Sequence, residues 1–173
     1  VKLSVSPDLR HVAEENDYVV VLDRPGYLLV LKPYGYEDSF FIEDREGRFA
    51  VLLRGERNMT LTLQMEASRL IDAEKYLAGQ LLFGWRIYKL KLPPFTALDQ
   101  VKDPKPGSRV EEYPQSSKAS VIWARVTPKA SFRLGFDAKA FTHYQDASFA
   151  QMRAAYADPD GAPLFPPPDT LEP

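Results

Sequence analysis

The order of segments predicts an α+β fold: mainly an antiparallel sheet with a few helices packed against it, in a single domain. Three observations carry this. Short β-branched and aromatic runs come first and lie close together in sequence, so antiparallel neighbours joined by tight turns are the economical pairing. A long stretch with apolar residues at helical spacing follows. Further strand-like runs and a last helix close the chain, which is the segregated order of an α+β architecture.

The bulk numbers fit. The chain has 173 residues, 45% of them hydrophobic and 27% charged, a globular composition large enough for one sizeable core. The expected division is one domain over 1–165 and a Pro-rich tail over 166–173.

Each element has a local reason. Ser6-Pro7-Asp8 reads as a helix start, with Ser6 able to cap free N–H groups and Pro7 suited to the first helical position. Leu9, Val12 and Ala13 would form its inner stripe, and Asn16-Asp17 its end. Tyr18–Leu22 and Tyr27–Leu31 are β-rich runs separated by Asp23-Arg24-Pro25-Gly26, a turn sequence. A second hairpin is expected from Ser39–Glu43 and Phe49–Leu53 around Arg45-Glu46-Gly47, and Thr60–Gln64 alternates like a half-buried strand. From Ser68 to about Tyr88, Leu70, Ala73, Leu77, Leu81, Trp85 and Tyr88 recur at helical spacing, with a break near Gly84 allowed by the weak helix propensity of glycine. Residues 96–118 read as a long loop. Ser120–Thr127 and Ser131–Phe136 look like later strands, and Ala147–Tyr156 like a short closing helix.

Composition also narrows function. No cysteine is present, which removes disulfides, thiolate catalysis and cysteine metal sites. The formal charge is -2 with no Lys/Arg run, so neither nucleic acid nor a membrane surface is an expected partner. Val1–Asp8 lacks the apolar core of a signal peptide, and the expectation is a soluble cytoplasmic protein.

Catalytic signals are weak. His11 and His143 have no metal-binding spacing, and no nucleophile elbow, dinucleotide fingerprint or phosphate loop occurs. No catalytic residue, cofactor or metal is therefore expected. His143 beside Tyr144 leaves one alternative open, a small enzyme whose carboxylates are brought near by folding. The acidic pairs Glu14-Glu15, Glu37-Asp38, Glu43-Asp44 and Glu111-Glu112 are adjacent, so on a strand their members point to opposite faces, poor geometry for joint acid/base work.

Two segments combine tyrosine with acids in loop context, Lys32–Asp38 and Arg109–Gln115. Tyrosine and arginine are enriched at interface hot spots. The candidate partner-binding residues are accordingly Tyr34, Tyr36, Glu37, Asp38, Arg109, Glu111, Glu112 and Tyr113.

A resemblance sharpens this. Phe40–Leu53 with Arg54-Gly55, then Leu70-Ile71-Asp72-Ala73-Glu74-Lys75-Tyr76-Leu77 with Phe83-Gly84, and then Leu92-Pro93-Pro94 are similar to the mycobacterial immunity (antitoxin) family. So is the run from His143-Tyr144 to Asp158-Pro159-Asp160-Gly161-Ala162-Pro163-Leu164-Phe165. That family neutralises the tuberculosis necrotizing toxin, a secreted NAD glycohydrolase, and the likeness extends to related polymorphic-toxin immunity proteins. It spans about residues 38–165; residues 96–118 match no family pattern, and the motifs are structural. The resemblance implies a cytoplasmic immunity protein without an active site, covering the catalytic cleft of an NAD-hydrolysing toxin in a 1:1 complex. A generic interaction module with no toxin partner is the other alternative.

Overall fold

The computed structural model describes residues 4–24, 27–31, 38–55, 60–95, 101–113, 120–124 and 127–167. Among them the elements run α1 (Pro7–Glu15), β1 (Val19–Arg24), β2 (Tyr27–Leu31), β3 (Ser39–Arg45), β4 (Arg48–Arg54), β5 (Thr62–Ala67) and α2 (Leu70–Tyr88). Then come β6 (Arg109–Glu112), β7 (Ser120–Ala124), β8 (Thr127–Phe132), α3 (Gly135–Tyr144) and α4 (Phe149–Ala157). All eight strands join one antiparallel sheet in the order β1-β2-β3-β4-β5-β8-β7-β6. Two meanders, β1 to β5 and β6 to β8, thus meet edge to edge where Met65 pairs with Phe132 and Ala67 with Ala130.

Local chemistry explains the first half. Ser6 Oγ accepts the Leu9 N–H and Pro7 opens α1, which buries Leu9, Val12 and Ala13. Asn16 closes the helix, its side-chain amide donating to the Val12 carbonyl, and Asp17 takes a positive φ of 63° to redirect the chain into β1. Between β3 and β4 only Glu46 and Gly47 remain, with φ of 55° and 85°, the geometry of a two-residue hairpin turn that matches strand twist. Asp44 Oδ1 accepts the Gly47 N–H and fixes that turn.

The helices lie on one face. Strand residues Val20, Phe40, Ile42, Val51, Met65, Ala67, Ile122, Ala130 and Phe132 share a single core with Leu77, Leu81 and Leu82 of α2, Phe141 of α3 and Met152 and Tyr156 of α4. Helix α2 contacts β4, β5 and the other three helices. It runs unbroken through Gly84 to Tyr88, so the anticipated break does not occur; packing along its length outweighs the weak local propensity. Gly79 has a positive role: a Cβ there would lie 2.5 Å from the Tyr144 hydroxyl, so glycine lets α3 approach α2. No helix among the described residues is long and apolar enough to cross a membrane.

Arg86 of α2 is fully buried. Its guanidinium donates to the carbonyls of Pro93, Tyr156, Asp158 and Pro159 and lies 4.2 Å from the Phe95 ring centroid. Asp158 in turn folds the following turn by accepting the Asp160 and Ala162 N–H groups, and Phe165 stacks on Phe95 at 4.1 Å. The run Asp158–Phe165 is therefore a strap bound to the helix layer. At the other end of α4, Ser148 and Gln151 form a reciprocal capping box.

Three sequence expectations change. Ser131–Phe136 is not a strand: β8 ends at Phe132 and α3 begins at Gly135. Ser-Phe-Arg-Leu-Gly-Phe alternates like a strand, and Leu134 at the N-cap gives α3 no side-chain cap to advertise it. Ser120–Thr127 divides, since β7 stops at Ala124 and Thr127 already opens β8. The expected loop 96–118 contains β6, and its Val101 is buried in the core. The turn at Pro25-Gly26 lies outside the described residues, as does the tail from Pro168 onward.

Replacing Arg86 by Met should cost on the order of 3 kcal/mol, because several buried carbonyls lose their donor together. Thermal unfolding should show a melting temperature lower by roughly 6–12 °C. Gly79→Ala should cost about 1–3 kcal/mol through the contact with Tyr144. Adding Tyr144→Phe, which removes the nearest atom, should recover part of that loss.

Candidate functional site

Register places the two tyrosine-and-acid segments. Asp38 immediately precedes β3, whose first residue Ser39 pairs with Arg54 at the end of β4. Carried across the sheet, the start of β5 pairs with the end of β4, and Phe132 near the end of β8 pairs with Ser120 at the start of β7. Ser120 in turn pairs with Glu112 at the end of β6. Asp38 and Tyr113 therefore stand at the same end of the sheet, five strand spacings apart, or about 24 Å. Segments 32–37, 56–59 and 114–119 leave the sheet at this end and lie outside the described residues, so Tyr34, Tyr36 and Glu37 have no structural account.

On β6 the two acids part company, as alternation requires. Val110 packs on the core and Glu112, with it on the helix side, pairs with Lys139 of α3 at 3.0 Å. Arg109, Glu111 and Tyr113 lie on the opposite face, where Glu111 accepts from both the Arg109 guanidinium and the Tyr113 hydroxyl. That hydrogen bond to a carboxylate, followed by burial, pushes the Tyr113 phenol above its ordinary value. Asp38 is exposed. The structure thus brings Asp38, Arg109, Glu111 and Tyr113 to one rim and turns Glu112 toward a helix.

The face away from the helices has its own order. Tyr27, Glu43, Ala50, Glu66, Ser131, Val121 and Glu111 occupy one register level across seven strands. Each glutamate in this band has an arginine: Arg45 on Glu43, Arg48 on Glu66 and Arg109 on Glu111. Burial alone would raise the Glu43 carboxyl, but hydrogen bonds from Tyr27 and Arg45 outweigh it and hold the carboxyl below its usual range. Sequence reasoning missed this band. The signal was present as Glu43-x-Arg45 and Arg109-x-Glu111, since a spacing of two on a strand puts both charges on one face.

One step nearer the loop end, Val21, Leu29, Phe41, Leu52 and Leu63 share a level across β1 to β5. A bulge in β5 sets both Leu63 and Gln64 opposite Leu52 and so keeps Leu63 on this face. Arg54 lies over the Phe41 ring at 5.4 Å.

His143 and Tyr144 do not form an open acid/base pair. His143 Nε2 sits 3.1 Å from the Asp103 carbonyl, which only accepts, so this nitrogen carries the proton and donates it. Its ring rests against Phe165. Tyr144 is buried among Phe141 and Tyr156, and burial pushes its phenol well above the ordinary range. Thr142 joins them in holding the preceding segment, accepting the Lys105 N–H. Among the described residues no three His, Asp or Glu side chains gather as metal ligands.

Comparison with known proteins agrees with this geometry. Residues 12–164 match the model of the family described as Immunity protein 61. A solved structure, "Rv3902c from M. tuberculosis", is similar with a TM-score of 0.75 at 18% identity, over 96% of this chain and 98% of that one. At that identity the likeness shows a shared fold. No curated protein matches the chain.

The hydrogen bond from Tyr113 to Glu111 predicts a phenol that titrates above an ordinary tyrosine, because the carboxylate stabilises the protonated form. NMR titration of ring-labelled tyrosine should locate it there, and Glu111→Gln should return it toward the usual value.

Proposed function

The chain belongs to the Immunity protein 61 family, and from that premise we propose that it binds a cognate NAD-hydrolysing toxin in the cytoplasm and blocks its active site in a 1:1 complex. An immunity role follows from the family. The toxin's chemistry rests on the resemblance of the core motifs to the antitoxins of the tuberculosis necrotizing toxin.

The observation that carries the binding site is the convergence of Asp38 and the Arg109-Glu111-Tyr113 ladder on one end of the sheet. Tyr34, Tyr36 and Glu37 precede Asp38 directly in the chain and belong to the same candidate surface. A cleft that holds the pyrophosphate of NAD must be electropositive, and a rim carrying Glu37, Asp38 and Glu111 is complementary to it. Glu112 contributes from the side, where its bond to Lys139 also steadies β6 against α3. A tight inhibitory complex of this kind buries on the order of 1,600 Å² in total.

Co-expression with the toxin encoded by an adjacent gene should preserve cell survival and NAD content; death with NAD loss despite soluble expression of both proteins would sink this function. Charge reversal at Glu37, Asp38, Glu111 and Glu112 should weaken inhibition by well over about tenfold, given what close interfacial charges contribute. Unchanged inhibition would discard the rim as the contact surface.

A further inference from the structure

The sheet's second face carries an apolar ribbon that the helix-side core does not use. Phe41, Ala50, Leu52 and Leu63 belong to the sheet but not to the core shared with the helices. Val19 and Val21 flank the buried Val20 and point away from that core, 48% and 38% exposed. The level through Val21, Leu29, Phe41, Leu52 and Leu63 crosses five strands, a ribbon roughly 19 Å long. Among the described residues no helix packs on it, since all four helices share the opposite core.

We propose that this ribbon is the anchor on which the cognate toxin seats an apolar ridge, such as one face of an amphipathic helix, while the loop end of the sheet covers the catalytic cleft. The proposal rests on the immunity function above and extends its contact surface. Three features select a protein partner. The first is area: eight strands of up to seven residues make a face of roughly 600 Å², and the loop end brings it near the roughly 800 Å² per partner of a stable complex. The second is composition, an apolar centre rimmed by Tyr27, Arg45, Arg48, Arg54 and Arg109, the residue types that rims and hot spots favour. The third is continuity. The ribbon lies on the Asp38 side of the glutamate band, so ribbon and loop end form one surface without a charged band between them.

The test uses the whole protein and the purified, catalytically inactivated toxin domain from the adjacent gene. Val19→Glu with Val21→Glu puts charge on the ribbon at positions already open to water; Leu61→Glu, exposed just before β5, does so near its far end; Tyr88→Glu, 74% exposed on α2, is the control. Calorimetry should show toxin affinity at least about tenfold weaker for the first two and unchanged for the control, with melting temperatures near the parent's. Unchanged affinity in the ribbon variants overturns the proposal. So does a lowered melting temperature with affinity retained, which would mean that a segment of this chain covers the ribbon. A parent dimer that the ribbon variants convert to monomer without loss of toxin affinity would assign the ribbon to a second copy and overturn it equally. If the parent itself fails to bind the toxin, the immunity function falls and this surface with it, an outcome distinct from the others.

Discussion

The burial of Arg86 constrains the whole helix layer. A guanidinium removed from water must meet hydrogen-bond acceptors in all its donor directions, and here these are main-chain carbonyls instead of a carboxylate. Burial lowers the Arg86 pKa against the pull of Asp158 and Tyr156, yet arginine remains charged at any physiological pH. Those carbonyls come from the segment after α2 and from the end of α4, so one side chain ties the middle of the chain to its C-terminal strap. The carbonyls at the end of α4 have no partner within the helix, and Arg86 satisfies one of that set while also meeting the favourable negative end of the helix dipole. Phe95, Tyr156 and Phe165 then close over the site with stacked and edge-on rings.

Because helices and strap are gathered on one face, the sheet is a two-layer structure with a free side. Two meanders joined at β5 and β8 give a broad sheet, and the join is short, covering Met65 to Ala67. It is held from the helix side, where Phe132 packs on Tyr76 and Phe141. Asp72, fully buried at the start of α2, reinforces the same junction through Arg69 and Lys129, and Lys75 and Lys129 both reach Gln145 between α3 and α4. The other side needs no such ties, which leaves its residues available for recognition.

Much of this was legible in the sequence, for identifiable reasons. Ser6-Pro7 and the Glu46-Gly47 turn were readable because capping and hairpin chemistry are local. The meander from β1 to β5 was readable because its strands alternate and its turns are short. What was hidden depends on partners distant in sequence. The strand β6 has only four residues, two of them glutamate, and becomes a strand by pairing with β7. The helix α3 opens on glycine and aromatic alternation, and is set by its packing on α2 through Gly79. Arg86 looks like one more charge at the end of a helix until the strap is folded back on it. At the candidate site, the pairing of Arg109 with Glu111 follows from period two, whereas the approach of Asp38 and Tyr113 to a common rim needs the full strand order.

The two bands on the free face divide affinity from specificity. In the glutamate band each carboxylate already has its arginine, so a partner that covers it trades water for little new attraction and desolvates charges that are satisfied. Such a band punishes a mismatched surface more than it rewards a matching one, which is how charged rims discriminate between partners. The ribbon behaves oppositely: covering it removes apolar area from water at about 25 cal/mol per Å² with no polar group to re-pair. The exposed valines of β1 lie at the sheet edge, where the ribbon is most open, while Leu52 in its middle is nearly covered by its neighbours. A docked partner therefore gains most at the β1 edge, and the Glu–Arg couples farther across the sheet fix its orientation.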